Sequence, residues 1–438
     1  MPSRLLGRFI GGLVSYTGAG IATLLLARIA GGPTDLLLPI AVLLAGAIIP
    51  AALVGFESWR VLCVTFLVIL LGTLWSIWSD ALPVRPYGDG KLLVDFMLPR
   101  AYVYPRWLLG TALAVALYVG VWQFAPVATR LPAQLATPAA FGALLCSIAM
   151  AVGSIAVLER WRSLAVVFAM LTPVWLLFST GYVEYYPLMI AAWLAALAWT
   201  FERPLGERDP LPMGCVIGLM PAIYVGLIGF SAVVFLAYAA IRPSRALPAL
   251  GAAAASLGIA IGVAYPSTAQ YLQQLYAEMN FGEEHLAFAR YAGHSAGPHS
   301  IFFTSSYAVS PEHLRDVAYM MFWSGGWLLL PVAAFALAMM PSKRVRLRAA
   351  VKDARFWVAV TLAAWQSYYM LHMIPLAGPT RDVDLFSPTI IMFAFGAGWL
   401  VDRGISEAGW RHVILCALVG VDVVTGVFLA GIGLPQRL

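Results

Sequence analysis

Apolar windows near the length needed to cross a bilayer recur along the whole chain, at about 8–29, 35–55, 61–78, 107–126, 137–158, 163–178, 188–201, 213–241, 246–265, 316–340, 356–375, 389–401 and 412–433. A spanning helix takes about 20 apolar residues, since each adds about 1.5 Å across a hydrocarbon core about 30 Å thick. Within lipid a helix also pairs its own backbone polar groups. The fold expected is therefore all-α: a polytopic transmembrane helical bundle of about 12–14 spans. The window at 213–241 is long enough to hold two short helices.

Hydrophobic residues make up 61% of the 438 and charged residues only 11%, so little is left from which to build a soluble domain. Even the longest polar stretch, 266–315, is rich in Tyr, Phe and Leu. Residues 1–438 therefore read as a single membrane domain. The net charge of +6 lies in short clusters between windows, which is an orientation signal and not a nucleic-acid footprint. Cys63, Cys146, Cys215 and Cys416 all fall inside apolar windows, giving neither a disulfide framework nor a CxxC pair, and read as small core residues. The opening MPSRLLGRFIGGLVSYTG is like a signal sequence, but its apolar part is long and more windows follow at once, so an uncleaved first span is expected.

The strongest orientation marker is PSKRVRLRAAVKDAR, Pro341 to Arg355, with six Lys or Arg and one Asp. It is expected on the cytoplasmic side. Counting spans from it, with Arg4, Arg8 and Arg60 also inside, places three polar loops on the opposite, outer face: 79–106, 266–315 and Gly378 to Pro388. Splitting 213–241 into two helices also brings ERWR (Glu159 to Arg162) and ERPLGERDP (Glu202 to Pro210) to the inner side. That arrangement requires one window between 107 and 158 not to cross fully. No internal repeat is visible, so an inverted-repeat transporter gains no support.

The outer loops hold the chemistry. In PYGDGKLLVDFMLPR, Gly88 and Gly90 flank Asp89, favouring a turn whose backbone can approach a ligand. KLLVDFML then reads as a short interfacial helix with Leu92, Leu93, Phe96 and Met97 toward lipid or bundle. Lys91 and Asp95, four residues apart, can form a surface pair or serve a substrate. STGYVEYYP sets Glu184 among Tyr182, Tyr185 and Tyr186 as the one charge of a long apolar region, and such a carboxylate is a site by default unless it sits hydrated in an aromatic belt. GPTRDVDLFSP offers Arg381, an anion fork, beside Asp382 and Asp384, which could equally neutralise it.

The 266–315 segment contains His285, His294, His299 and His313 at spacings that match no zinc pattern. STAQYLQQLYAEMNF within it places Leu272, Leu275, Tyr276 and Met279 on one helical face, as in an interfacial helix. Ser310 and Pro311 suit the start of a helix leading to the next span. The segment is lid-like. Asp422, in the middle of the 412–433 window, reads as structural.

Over residues 75–205 the chain resembles the GT-C superfamily of multi-spanning glycosyltransferases that use polyprenyl-phosphate-linked sugars. The resemblance is carried by GDGKLLVDFMLPRAYVYPRW and GYVEYYPLMIAAWLAALAWTFERP, with GPTRDVDLF similar in style to a late outer loop of bacterial members. Those enzymes commonly carry adjacent acidic residues in the first loop, whereas Asp89 and Asp95 are six apart, and metal use is left open.

The resemblance implies an inverting transfer of a sugar from a polyprenyl-phosphate donor to a glycan, lipid or protein acceptor on the outer face. It implies Asp89 as the catalytic base in loop 79–106, with Lys91, Arg100 and Arg381 near the leaving phosphate. Asp95, Tyr182, Glu184, Tyr185 and Asp382 join them as substrate-binding candidates. No cofactor is firmly implied, and a divalent metal stays an option. The expected location is a bacterial inner membrane, with the active site on the periplasmic face and membrane lipid and the donor as partners. The rival class is a transporter or flippase of a lipid-linked or amphipathic solute, which would instead line a mid-membrane path with its charges.

Overall fold

The structure is a computed structural model that describes residues 2–29, 93–123, 137–170, 172–179, 186–279, 352–372, 383–404 and 408–433, with a few single positions between them. Among the described residues 92% are helical and none lies in a strand. The windows 35–55, 61–78 and 316–340 lie almost wholly outside them, as do loop 79–92, the histidines of 285–313, and Cys63.

The principal helices are α1 (Pro2–Ile29), α2 (Leu108–Leu117), α3 (Pro138–Arg160), α4 (Leu164–Met170), α5 (Pro173–Ser179), α6 (Tyr186–Glu202), α7 (Pro210–Ile223), α8 (Ile228–Ile241), α9 (Pro243–Ala264), α10 (Thr268–Met279), α11 (Ala354–His372), α12 (Val383–Gly404) and α13 (Ala408–Gly433). Two of them, α3 and α9, are long and apolar enough to cross a membrane, and five shorter apolar helices accompany them. Of the apolar stretch of α3, 61% is buried, against 22% for α9. So α3 is central and α9 peripheral.

Helix boundaries follow local chemistry. Thr137 accepts a hydrogen bond from the Ala140 amide at 3.1 Å, and Pro138 opens α3 where its missing N–H costs nothing. The 163–178 window is broken at Pro173. There Thr172 accepts from the Trp175 amide and donates to the Ala169 carbonyl, pairing one exposed group on each side of the break. The 213–241 window is two helices. Pro221 sits in the last turn of α7, Tyr224 is extended, and a single tight turn at Val225–Leu227 leads into α8.

The closest helix pairings are α7 with α9, α1 with α13, and α4 with α12. Each is made close by glycine. A Cβ on Gly214 or Gly218 of α7 would meet the carbonyl oxygen of Ala249 or Ala253 on α9. One on Gly398 would meet Leu164 O at 2.6 Å, and one on Gly420 would meet Tyr16 O. Small residues at these crossings let backbone approach backbone.

Helix directions gather the polar termini at one end. Gly12 lies against His412 and Tyr16 against Gly420, so α1 and α13 run parallel and the start of α1, carrying Arg8, joins the start of α13. Around them are the ends of α3, α6, α8 and α12 and the starts of α7, α9 and α11. Arg160 and Arg208 reach Glu202 at 3.8 and 3.5 Å, Arg245 reaches Asp209 at 3.9 Å, and Arg411 reaches Asp402 at 3.1 Å. Arg355, only 6% exposed, grips Asp353 with two nitrogens and donates to the Phe201 carbonyl at 3.0 Å. Both ERWR and ERPLGERDP are in this charged layer.

The opposite end is aromatic and holds the starts of α2 and α6. Leu108, at the start of α2, is buried with Ala222, Ala260 and Ile261, while Tyr118, just past its end, meets Phe141 in the first turn of α3 at 5.2 Å. α2 thus joins the far ends of α7 and α9 to the start of α3. Cys146 and Cys416 are buried as expected of small core residues, but Cys215 is exposed on α7. The α7 face buried against α9 carries Gly214 and Gly218, which turns the adjacent Cys215 outward.

Candidate functional site

The described half of the first loop is a folded segment at the aromatic end. Leu93–Met97 forms a wide helical turn that tightens into Leu98–Arg100. Leu93, Val94, Met97 and Leu98 are buried, Phe96 is partly covered, and Asp95 and Arg100 are exposed. Of the expected face, Leu92 lies outside the described residues, Leu93 and Met97 are buried and Phe96 is partly covered, while Val94 and Leu98 were missed because a wider turn brings different positions inward.

Ala101 ends the turn in the left-handed region, φ 51°, and the Tyr102 amide returns to the Met97 carbonyl at 2.9 Å. That reversal brings Tyr102 back against Phe96, ring centroids 5.5 Å apart, edge to face. The Arg100 guanidinium carbon then sits 4.3 Å over the Phe96 ring. Beyond it, Thr111 accepts from the Tyr104 amide at 2.9 Å and donates to the Trp107 carbonyl at 2.7 Å, fixing the turn that opens α2.

Trp107 organises the rest. It stacks on Tyr224 at 4.0 Å and meets Tyr186 edge-on at 4.8 Å, joining the first loop to the start of α6 and the α7–α8 turn. Such aromatic pairs are each worth about 0.5–1.5 kcal/mol beyond their buried area. Tyr186, which opens α6 and in the sequence follows Glu184 and Tyr185, lies beside the first loop.

The beginning of the 266–315 segment is packed onto the same surface. Tyr265 donates to the Val103 carbonyl at 2.7 Å and packs edge-on against Tyr271, whose phenol is pushed up by burial. Tyr102 donates to Gln274 on α10 at 3.5 Å, the long limit of a hydrogen bond. On α10 the inward face is Tyr271 and Leu275, while Leu272 and Tyr276 are exposed. Of the expected face, Leu275 packs on protein and Leu272 and Tyr276 face the surroundings, while the Met279 side chain lies outside the described residues.

Of the nine site residues anticipated, Asp95 and Arg100 are described and lie on the same exposed turn. Asp89, Lys91, Tyr182, Glu184, Tyr185, Arg381 and Asp382 lie outside the described residues, and so does the Asp422 side chain. α12, which follows Asp382, packs antiparallel to α11, with Thr389 donating to the Gln366 carbonyl at 3.1 Å, and it begins at the end away from the charged layer. Among the described residues no group of three His, Cys, Asp or Glu could hold a metal ion.

Sequence reasoning passed over Trp107, Tyr224, Tyr265 and Tyr271, since contacts between positions up to 162 residues apart leave no local pattern. The only signal was their place at the ends of apolar windows, where aromatics collect. No family model matches the chain, and no curated protein or solved structure matches it.

Proposed function

We propose that the chain is a polytopic membrane glycosyltransferase that moves a sugar from a polyprenyl-phosphate donor to an acceptor at the aromatic end of the bundle, taken as the outer face. The observation that carries this reading is the convergence at that end. Segment 93–107, the start of α6 that follows Glu184, and α10 at the head of the 266–315 segment pack together, away from the charged layer. A lipid-linked donor and a water-side acceptor meet only at the bilayer surface, so chemistry on both belongs in loops at helix ends.

In this reading Asp89 takes the proton from the acceptor hydroxyl as the acceptor oxygen attacks the anomeric carbon. The bond to the donor phosphate breaks, the configuration inverts, and Lys91, Arg100 and Arg381 receive the phosphate's charge. Glu184 lines the sugar or acceptor pocket. The basic excess of the charged end suits the cytoplasmic side.

The test is sugar transfer from radiolabelled polyprenyl-phosphate sugars by purified protein in lipid nanodiscs, with donor binding measured alongside. Asp89→Asn is expected to lose at least about a hundredfold in rate with donor binding retained. An unimpaired variant removes Asp89 as base. Donor binding without transfer, combined with movement of the donor across vesicles, would replace the enzyme by a flippase.

A further inference from the structure

Arg100 differs from the ion-paired arginines at the other end of the molecule. Arg160, Arg208, Arg245, Arg355 and Arg411 each reach a carboxylate, whereas Arg100 is exposed and has no acidic partner among the described residues. It is nevertheless held. Its guanidinium lies 4.3 Å over Phe96, whose ring is fixed edge-on by Tyr102 at 5.5 Å, and Tyr102 donates to Gln274 of α10, 172 residues along the chain. A guanidinium over an aromatic ring uses its face for that contact and keeps its edge of N–H donors free, the fork geometry that fits phosphate oxygens.

Resting on the glycosyltransferase reading, we propose that Phe96, Tyr102 and Gln274 position Arg100 as the group that binds the donor's phosphate, with α10 as the fixed support. The second strap, Tyr265 to the Val103 carbonyl with Tyr271 packed behind it, holds α10 and the loop in one unit. The head of the 266–315 segment is then an anchor. Tyr102 and Gln274 are positioning residues that act through Arg100 and touch no substrate.

The experiment titrates polyprenyl phosphate into the protein in phosphatidylcholine nanodiscs, with polyprenol as the uncharged control and inorganic phosphate as the headgroup-only competitor. Arg100→Gln is expected to weaken binding of the phosphate lipid at least about tenfold, with Arg100→Lys, which keeps the charge but lacks the fork, recovering only part of it and polyprenol unaffected. Tyr102→Phe and Gln274→Leu are each expected to weaken it by about three- to tenfold. Inorganic phosphate should compete in the wild type and lose that ability in Arg100→Gln.

The deciding readout is the double variant. If Tyr102 works through Arg100, Tyr102→Phe adds no further loss once Arg100 is Gln. Additive losses, or an Arg100→Gln that binds like wild type, overturn the positioning proposal and leave the glycosyltransferase reading standing. A wild type that binds no polyprenyl phosphate brings down that reading and this one with it. Melting curves of each variant separate lost binding from lost fold, and Tyr102→Phe, which removes one oxygen, keeps the test open if Arg100→Gln is unstable.

Discussion

Individual side chains in the charged layer are held against the cost of burying charge. Arg208 is 7% exposed. Burial pulls its pKa down, and Glu202 partly opposes this. Its side chain donates to the Trp199 carbonyl and lies 4.2 Å over the Trp199 ring, while the Tyr238 hydroxyl donates to its carbonyl at 3.0 Å. Arg208→Met should lower stability by about 2 kcal/mol, less than for a fully buried pair because Glu202 keeps some contact with water. Denaturant or thermal unfolding of the purified protein checks this, and a variant as stable as wild type would show the pair to be dispensable. Asp353 gives a pH signature. Burial raises its pKa, but the Arg355 hydrogen bonds and charge, with Arg403, outweigh that and hold it below the ordinary 3.8. The unfolded chain therefore takes up protons at higher pH than the folded one. The pair's stabilisation is full above the ordinary value and lost as pH falls through the depressed one. Asp353→Asn should be destabilised at about pH 7, with the deficit shrinking as pH falls below about 4. A deficit that stays constant across that range would mean Asp353 acts only through its shape.

Among the elements, the α7–α9 contact is the most sensitive to size. Gly214 and Gly218 stand four residues apart on one face of α7, and α9 answers with Ala249, Ala252 and Ala253. Gly218→Ala should cost about 1–3 kcal/mol, since the added methyl meets backbone and the helices must move apart. The melting midpoint should drop clearly, and an unchanged midpoint would mean that the helices separate freely. That GxxxG spacing was passed over in the sequence, whereas the split of 213–241 was legible from a length that exceeded one span. The helical nature of the segments was legible because apolar length alone decides it. The wide turn at Leu93–Met97 was not, since a change in helical pitch comes from packing, and LLVDFM suits either pitch. The aromatic contacts of Trp107 were equally hidden: its partners Tyr186 and Tyr224 belong to other helices, and only the folded chain brings them within 5 Å.

The whole molecule has two unlike ends. Among the described residues, one gathers nine helix termini in a layer rich in arginine and carboxylate, and the other joins segment 93–107 to the start of α6, the α7–α8 turn and α10 through tyrosine and tryptophan. If the bundle spans a bilayer in the proposed sense, single cysteines placed in a cysteine-free background at Asp95→Cys and Arg245→Cys should react with a membrane-impermeant maleimide from opposite sides of sealed vesicles. Labelling of both from one side would end the two-faced reading and the outer site with it. The grouping of ERWR with ERPLGERDP was readable from charge alone. Of the candidate site, the turn holding Asp95 and Arg100 was legible as part of a loop, but the strap from Tyr265 to Val103 was not. The pairing of α1 with α13 carries a consequence for how such a molecule is made. Their shared face, with Gly12 on His412 and Tyr16 on Gly420, is completed by segments separated by most of the chain. During synthesis Gly12 and Tyr16 of α1 meet this partner only once α13 emerges. Truncation between the two helices would leave that face of α1 without the surface it packs on, a mark by which quality control can recognise the truncated chain.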